Sequence, residues 1–243
     1  MVDSFAQGRS NLTIDTAVIA SAINSSAAIA PQIYRLLRDR IVRTELLPGE
    51  VISETEIARG YDVSRQPVRE AFIKLAEAGL VQIRPQRGTM ITRISTDAVM
   101  DARFVREAIE ADVVKLVVER CDTAIRTELL AQIDRQKRVA DDDSDGFVKL
   151  DELFHRTLAE MAGKSYAWRV IEEVKAQMDR VRYLSVEKLH VRLLISQHEE
   201  IVAGIVENDA PRAEAAMRAH LREILKSLPE VAKARPDLFG AAR

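Results

Sequence analysis

One stretch in the first third of this chain decides its fold, and it reads Val63-Ser64-Arg65-Gln66-Pro67-Val68-Arg69-Glu70-Ala71-Phe72-Ile73-Lys74-Leu75. Read as a helix, it gathers apolar residues spaced by three and four onto one stripe, namely Val68, Ala71, Phe72 and Leu75. Ser64 precedes the run and suits an N-cap, and Pro67 falls in the first turn, where its missing N–H costs little. The stretch therefore predicts a helix that begins just after Ser64 and buries one face.

Two arginines mark the start of this predicted helix. Arg65 and Arg69 are four residues apart, so they lie about 40° from each other, on a flank beside the apolar stripe. Such a helix suits the DNA major groove, where its N-terminal residues reach phosphates and guanine edges. The alternative is an ordinary solvated helix surface, so the interpretation depends on the surrounding sequence.

Composition limits the classes of protein to which this chain can belong. Its 243 residues favour two domains, at roughly 100–200 residues per domain. An apolar fraction of 47% supplies a sizeable core, and an aromatic fraction of 5% favours a mainly helical fold. The single cysteine, Cys121, excludes an intramolecular disulfide and fits a reducing compartment. No apolar run reaches the ~18 residues that span a bilayer, which argues against a membrane partner.

The formal net charge of −2 is unevenly distributed. Residues 31–95 carry 11 Lys and Arg against 8 Asp and Glu, whereas residues 96–243 carry 24 against 28. A mildly basic part followed by an acidic part suits a nucleic-acid module fused to another domain. We therefore expect a flexible arm at 1–30, a DNA-binding domain at 31–95 and a second domain at 96–243. Within the arm, Thr16–Asn24 is loosely periodic and would suit a short helix.

The residues before the central helix predict the rest of a helix-turn-helix unit. Residues 31–44 have the periodicity of a helix, and Leu47-Pro48-Gly49-Glu50 suits a turn. Ser53 and Glu56 have the spacing of a capping box and open a second helix, which ends near Gly60. Two helices joined by a tight turn form the helix-turn-helix arrangement.

A β-hairpin is predicted after the central helix. Two short alternating segments, 81–83 and 89–92, flank a loop that contains proline and glycine. A hairpin in this place is a wing, whose tip carries Arg84 and Arg87. Gly88 would allow the backbone to approach a phosphate or the minor groove. The alternative is a surface hairpin with incidental arginines.

Together these motifs resemble the winged helix-turn-helix of GntR-family bacterial transcription regulators, nearly continuously over residues 31–95. The resemblance rests on Leu47-Pro48-Gly49-Glu50, Ser53-Glu54, Ile57-Ala58, Val63 to Ala71, Leu75, Ala78-Gly79-Leu80-Val81 and Arg87-Gly88. It implies that the protein binds a pseudo-palindromic, double-stranded operator as a homodimer. The residues predicted to contact DNA are Arg65, Gln66, Arg69, Arg84, Arg87 and Gly88. Some relatives carry a basic residue near the start of the second helix, where this chain has Ser53, Glu54 and Thr55.

From residue 97 onward the sequence predicts six helices, at about 97–120, 123–141, 146–162, 165–184, 187–208 and 210–228. Pro211 fits the first turn of the last helix, and Pro229 is expected to end it. The acidic run at 141–145 lacks the spaced ligands and the distal glutamate of a calcium loop, so we interpret it as a solvated loop.

Four residues of this helical part are candidate metal ligands. Asp151 and His155 are i and i+4 on the third predicted helix, so both project from one face, while His198 and His220 lie on the last two helices. A bundle can bring such side chains together, and three imidazoles with one carboxylate suit Zn, Ni or another divalent first-row ion such as Mn. The alternative is four hydrogen-bonded structural residues, because Asp-x-x-x-His alone is common.

The second domain resembles the all-helical ligand-binding domain of the FadR/FCD subfamily, in which an Asp-x-x-x-His and two further histidines often bind a metal. The resemblance implies the ligand set Asp151, His155, His198 and His220, through the stretches Leu150 to His155, Gln197-His198-Glu199 and Ala219-His220-Leu221. His190 has no counterpart and is interpreted as structural. Six helices resemble the shorter VanR-like branch more than FadR, which favours a small carboxylic acid over an acyl-CoA as effector.

Two arginines are candidate contacts for the carboxylate of that effector. Arg103 and Arg106 lie on the first helix of the second domain, and arginine is the side chain that pairs best with a carboxylate. Arg106 with Glu110 resembles the Arg-x-x-x-Glu pattern of the subfamily. For each arginine the alternative is a surface or interhelical salt bridge.

The sequence thus predicts a mainly helical, cytoplasmic, nucleoid-associated bacterial regulator, more often a repressor in this family, that senses a small organic acid at a metal-containing domain. It predicts no enzyme. A metal-dependent hydrolase would use the same Asp/His cluster to activate water, but the chain has no His-Glu-x-x-His base and no nucleophile motif. An architectural DNA binder without an effector is the third alternative.

Overall fold

The computed structural model describes residues 23–139, 143–185 and 191–240. Its first part is a head, residues 29–91, that consists of α1 at Ile29–Val42, β1 at Val51–Ile52, α2 at Glu54–Gly60, α3 at Arg65–Glu77, β2 at Val81–Arg84 and β3 at Gly88–Ile91. Most of the arm predicted at 1–30 lies outside the described residues, as does most of the helix predicted over Thr16–Asn24.

Helices α2 and α3 begin where their capping residues predict. The Ser53 hydroxyl accepts from the Glu56 amide at 3.1 Å and donates to the Glu56 carboxylate at 2.9 Å. Ser64 is the N-cap residue of α3, although its side chain makes no cap bond, and Pro67 lies in the first turn. The predicted apolar stripe is the buried face of α3, formed by Val68, Ala71, Phe72 and Leu75.

The predicted hairpin is confirmed, and it belongs to a three-stranded antiparallel sheet of order β1-β3-β2. Arg84 pairs with Gly88 across the loop. Strand β1, which pairs Val51 with Met90, has no counterpart among the sequence predictions. Gly88 has a φ of +81°, and a Cβ at this residue would lie 2.6 Å from the Val51 Cγ1 atom. The close approach of β1 therefore requires glycine at this position.

The second part of the chain is a bundle of helices, α4 to α11. Among the described residues these are α4 at Thr96–Arg120, α5 at Thr123–Val139, α6 at Ser144–Met161, α7 at Ser165–Val174, α8 at Ala176–Ser185, α9 at Val191–Val206, α10 at Ala210–Leu221 and α11 at Ile224–Ala234. A 3-10 turn at Pro236–Leu238 follows. Within the described segments no helix has the length and apolarity needed to cross a bilayer.

The bundle has eight described helices where the sequence predicts six, because two predicted helices are each divided. The helix predicted at 165–184 breaks at Lys175, whose buried ammonium pairs with Asp179 at 2.7 Å and with Glu152 at 3.1 Å. The helix predicted at 210–228 breaks at residues 222–223. The expectation that Pro229 ends that helix is wrong, since Pro229 lies inside α11.

Four hydrophobic cores organise the described elements, and the smallest joins Phe147 of α6 to Leu194 and Ile195 of α9. The largest core of the bundle is formed by α4, α5, α6, α7, α9 and α10, around residues such as Val114, Phe154 and Ile201. The start of α4 packs with α8, α11 and the 3-10 turn around another core. The head has its own core, which also takes in Ala176 of α8. Helix α8 therefore lies between the head and the rest of the bundle.

Candidate metal centre and nucleic-acid interface

The surface of the head presents both arginines of α3. The side chains of Arg65 and Arg69 are 66% and 68% exposed. Both face Glu54 in the first turn of α2, with Arg65 Nη2 at 3.1 Å from Glu54 Oε2 and Arg69 Nε at 4.0 Å from Glu54 Oε1. One carboxylate thus lies between the two guanidinium groups and reduces the positive charge of this surface.

The remaining predicted DNA contacts lie on α3 and on the hairpin. Gln66 donates to the Glu70 carboxylate at 3.2 Å. Arg84, at the end of β2, is half-buried and donates from Nε to the Gln82 side chain at 3.3 Å. Arg87 is exposed at the tip. Helix α3 and the wing therefore both present hydrogen-bond donors of the kind that phosphate oxygens accept.

Inside the bundle the structure brings the four candidate ligands together. Asp151 and His155 lie on α6, His198 on α9 and His220 on α10, and each is at most 5% exposed. One candidate ligating atom from each lies within 4.8 Å of the others. The Nε2 atom of His220 is 3.1 Å from Nε2 of His155 and 3.2 Å from Nε2 of His198. The i, i+4 pair of α6 thus faces two histidines that are distant in the sequence.

Each histidine uses its other ring nitrogen, Nδ1, for a hydrogen bond to an oxygen behind the cluster. The pairs are His155 with Glu110 at 2.5 Å, His198 with Gln136 at 2.7 Å and His220 with Gln197 at 3.0 Å. Because these oxygens accept, each ring carries a proton on Nδ1, and the Nε2 atoms, which hold the lone pair in a neutral ring, point toward one another. Partners of this kind commonly orient histidines that bind a metal.

Burial keeps the imidazoles of His198 and His220 neutral. It lowers the pKa of His198 to about 3, even though the charge of Asp151 opposes the shift. Burial, together with the other two histidines, holds the pKa of His220 well below its usual 6.5. Neutral imidazole is the form that ligates a metal ion, so His198 and His220 are in the required protonation state at neutral pH.

Asp151 supplies negative charge to the cluster. Its Oδ2 atom accepts from Arg182 of α8, whereas its Oδ1 atom, 3.6 Å from Nε2 of His198, is buried with no hydrogen-bond partner. Burial raises the pKa of Asp151, but the neighbouring positive charge, that of Arg182 foremost, outweighs it and holds the pKa well below its usual 3.8. An ionised carboxylate with one free oxygen therefore faces the imidazole lone pairs.

This set of donors fits a divalent metal ion. Nitrogen ligands about 2.0–2.1 Å from one ion, at tetrahedral or octahedral angles, lie about 2.9–3.4 Å apart. The Nε2 separations of 3.1 and 3.2 Å fall in that range. Without a cation, converging lone pairs and an unpartnered carboxylate oxygen would be costly in a buried site. The cluster could therefore hold a metal ion.

Comparison with known proteins identifies both parts of the chain. Residues 29–91 match the family model described as bacterial regulatory proteins, gntR family, and residues 101–223 match the FCD domain. The chain belongs to the GntR family of bacterial transcription regulators. The resemblance and the fold class predicted from the sequence are thereby confirmed, a winged helix-turn-helix followed by an all-helical FCD domain.

Relatives of this GntR regulator cover most of its length. It is 39% identical over 225 residues to the HTH-type transcriptional repressor RspR of Escherichia coli (strain K12), a match covering 91% of this chain and 98% of the relative. It is 25% identical over 202 residues to the HTH-type transcriptional repressor GlaR of the same organism, covering 77% and 90%. The family and these relatives are transcription regulators and not enzymes.

Solved structures share the fold of this regulator at lower sequence identity. E. coli McbR/YncC superposes with a TM-score of 0.71 at 16% identity, covering 86% of this chain and 99% of that one. A GntR transcriptional regulator from Rhodococcus sp. RHA1 superposes with a TM-score of 0.67 at 23% identity, covering 84% and 99%.

The two arginines predicted to contact an effector of this GntR regulator lie in different surroundings. Arg103 pairs with Glu107 at 2.6 Å, and Glu107 also binds two arginines at the end of α10. Arg106 is buried, and its Nε atom donates to Glu110 at 2.6 Å while its Nη2 atom has no partner. Because Glu110 also accepts from His155, Arg106 lies directly behind the cluster.

The residues that support the cluster are functional candidates that the sequence analysis does not predict. Glu110 and Gln197 occur in stretches that carry the family resemblance, so a signal for them exists in the sequence. Gln136 and Arg182 lie on α5 and α8 with no motif beside them, and only the packing of these helices brings them to the cluster. His190 lies outside the described residues.

Proposed function

We propose that this protein is a homodimeric, metal-containing repressor whose operator binding is controlled by a small organic acid. The cluster of Asp151, His155, His198 and His220 carries the proposal, because its imidazole lone pairs and free carboxylate oxygen face one another in a buried site. A helical domain with such a cluster, joined to a DNA-binding head, suits a sensor. Both E. coli relatives are named repressors.

Zn²⁺ is the proposed ion, with Ni and Mn as alternatives. Three imidazoles and one carboxylate belong to the ligands that Zn²⁺ prefers in proteins. The four residues would hold the ion inside the bundle, and Glu110, Gln136 and Gln197 would fix the ring orientations. When bound, the ion would supply a Lewis-acidic position for an oxygen anion.

Arg106 is the proposed partner of the effector's carboxylate. Its buried Nη2 atom has no acceptor in the structure, and an unmet buried donor is costly unless a ligand accepts from it. A charge-assisted hydrogen bond to a carboxylate would meet that requirement. Arg103 belongs to the outer network of positive charge around Glu107 and would attract the anion toward the bundle.

The two heads of the homodimer would each bind one half-site of a pseudo-palindromic operator. The proposed contacts are Arg65, Gln66 and Arg69 in the major groove and Arg84, Arg87 and Gly88 along the phosphates. The corresponding domains would be residues 31–95 and 96–243. Such a protein would act in the cytoplasm at the nucleoid. Operator and effector must then weaken each other's binding by the same factor.

One preparation of the full chain tests this proposal. Duplexes selected from a random library supply the operator, and elemental analysis measures the metal. Gel-shift titration with sugar acids, dicarboxylates and aromatic acids then measures the response. We expect about one divalent ion per chain, an operator affinity that falls steeply with salt, and weaker operator binding with at least one acid.

The matched variant is Arg106→Gln. We expect it to bind the operator as the wild type does without acid and to lose the response to acid. Selection that yields no common sequence would refute operator recognition. An operator affinity that no acid changes in metal-loaded protein would refute the sensing role.

A further inference from the structure

Helix α8 is embedded in both halves of the molecule. It spans Ala176–Ser185, and most of its residues are buried. Ala176, at its start, belongs to the hydrophobic core of the head. Met178 and Val181, farther along, belong to the core that α8 forms with α4 and α11. A single short helix is thus packed into the DNA-binding part and the sensing part.

Two side chains of α8 hold the head at the ends of its DNA-facing elements. Gln177 donates from Nε2 to the Gly79 carbonyl oxygen at 2.7 Å, just after α3 ends. Arg180 donates from Nη1 to the Thr92 carbonyl oxygen at 2.9 Å, just after β3 ends. Helix α8 therefore contacts the base of α3 and the base of the wing.

A third side chain of α8 links to the first helix of the head. Asp179 forms an ion pair with Arg38 of α1 and another with Lys175 at 2.7 Å. The carboxylate is only 11% exposed, so this contact is shielded from solvent. Three side chains within about one turn of α8 thus contact three different elements of the head.

A fourth side chain of α8 contacts the cluster of Asp151, His155, His198 and His220. Arg182 donates to the Oδ2 atom of Asp151, whose Oδ1 atom is the unpartnered oxygen of the cluster. Arg182 follows Arg180 by two residues on the same rigid helix. A change of position at Asp151 would therefore act on Arg182, and through the helix on the residues that hold the head.

The contact between Arg180 and the head is a marginal one. The guanidinium is fully buried, and its Nε and Nη2 atoms have no hydrogen-bond partner. Among the described residues, it bonds to the Thr92 carbonyl and to the Gln177 side chain at 3.3 Å. A buried cation without a carboxylate is costly. A small shift of α8 that hydrates Arg180 would thus offset the loss of its bond to the head.

A cleft leaves room for such a shift. Its volume is about 1080 Å³, and it separates α1 and the end of α3 from α6 and α7. Its walls include Tyr34, Arg35 and Lys74 from the head and Glu152, Arg169 and Glu172 from the bundle. The head is therefore held along α8 and, at the start of α6, by the ion pair of Arg43 with Asp145 at 2.5 Å, whereas the cleft separates it from the rest of α6 and from α7.

We infer that α8 transmits the state of this candidate metal site to the head, and that Arg182 is the positioning residue that connects the site to α8. The inference rests on the proposed function, because it takes the cluster as the sensing site. Arg182 responds to Asp151, and Gln177 and Arg180 move with it. The orientation of α3 and of the wing then depends on the cluster.

Hydrogen exchange of the full chain, treated with chelator and then measured with and without ZnCl₂, tests the inference. In the wild type we expect Zn²⁺ to slow exchange in α6, α9 and α10, which carry the cluster. We also expect it to change exchange in α8 and in residues 76–94, which carry no proposed ligand. The second change is the readout of transmission.

Variants separate transmission from metal binding. Arg182→Gln should keep Zn²⁺-dependent protection in α9 and α10 and lose the change at 76–94, and Arg182→Lys should restore part of it. Gln177→Ala, which leaves the cluster untouched, should also reduce the change at 76–94. Arg156→Gln is the matched control, because Arg156 is an exposed arginine on α6 that pairs with Glu160.

The outcomes distinguish the inference from the proposed function. Zn²⁺ that protects the cluster helices but leaves 76–94 unchanged in the wild type would overturn the inference alone. The inference alone would also be overturned if Zn²⁺ changed exchange at 76–94 as much in Arg182→Gln and Gln177→Ala as in the wild type. Absence of any Zn²⁺-dependent protection would overturn the metal site itself, and the inference with it.

Discussion

Zn²⁺ should stabilise this protein measurably, and His198→Ala should remove most of that stabilisation. A ligand that binds only the folded state, at a free concentration 100 times its Kd, adds about 2.7 kcal/mol to the free energy of unfolding. For a chain of about 150–250 residues, each kcal/mol raises Tm by about 2–4 °C. We therefore expect Zn²⁺ to raise the Tm of chelator-treated wild type by about 5–11 °C.

The substitution also has a cost that does not involve metal. His198 is fully buried and stacks on Phe154 with ring centroids 4.4 Å apart, so His198→Ala leaves a cavity and lowers Tm by itself. The informative quantity is accordingly the difference between Tm with and without Zn²⁺, measured for each variant. We expect that difference to fall below about 2 °C in His198→Ala, since a hundredfold loss of affinity at the same free Zn²⁺ leaves only about 0.4 kcal/mol of stabilisation.

Differential scanning fluorimetry of the full chain at matched free Zn²⁺ provides the measurement. His190→Ala is the control, because His190 is the one histidine without a counterpart among the predicted ligands, and it should keep the wild-type shift. An equal Zn²⁺ shift in wild type and His198→Ala would show that the ion binds elsewhere. No shift in the wild type would refute the assignment of the cluster.

Three further outcomes are expected. Arg65→Ala should weaken binding to the selected operator by about 1–3 kcal/mol, measured by gel shift, whereas Arg156→Ala in the bundle should not. Glu54→Gln should strengthen binding to random duplex about 1.4- to 5-fold, the equivalent of an exposed ion pair of about 0.2–1 kcal/mol. The ratio of operator affinity to random-duplex affinity should therefore decrease. Burial raises the pKa of Asp179, but Lys175 and Arg38 outweigh it and lower the pKa from 3.8. Its contribution to stability is therefore present above pH 3.8 and lost as pH falls through the lowered value. The free energy of unfolding, measured with urea, should accordingly fall less between neutral and acid pH in Asp179→Asn than in the wild type.

Local signals made the head predictable from its sequence. Ser53 and Glu56 are close in the chain, so their capping interaction needs no tertiary information. The same holds for the apolar stripe of α3 and for the hairpin. Strand β1 was beyond this reasoning because a two-residue strand has no period, and its partner Met90 lies far along the chain. The sequence analysis predicts that Gly88 lets the backbone approach DNA, whereas the close neighbour of Gly88 in the structure is Val51.

The bundle shows why helix breaks are harder to predict than helices. The break at Lys175 involves no glycine or proline and depends on the buried ion pairs of Lys175 with Asp179 and Glu152. The break at residues 222–223 likewise has no local signal. Pro229 did supply one, but the chain accommodates it inside α11. Tertiary contacts therefore outweighed local propensity at each of these positions.

The candidate site was only partly accessible to the same reasoning. Helical spacing places Asp151 and His155 on one face of α6, but it says nothing about which other helices they meet. The convergence of His198 and His220 came from the family resemblance. The partners Gln136 and Arg182 depend on how α5 and α8 pack, which no spacing in the sequence encodes.

The free energy of the contacts between α8 and the head decides whether transmission through α8 is physically reasonable. Coupling between two sites is commonly about 1–3 kcal/mol, or 5- to 150-fold in affinity. The polar contacts by which α8 holds the head are the hydrogen bonds of Gln177 and Arg180 and the ion pair of Asp179. At a net value of about 0.5–1.5 kcal/mol each, these contacts sum to about 1.5–4.5 kcal/mol. The two quantities are comparable, so a ligand at the cluster can shift the balance between a docked and a released head. A junction held by a large hydrophobic interface would not respond to a signal of that size.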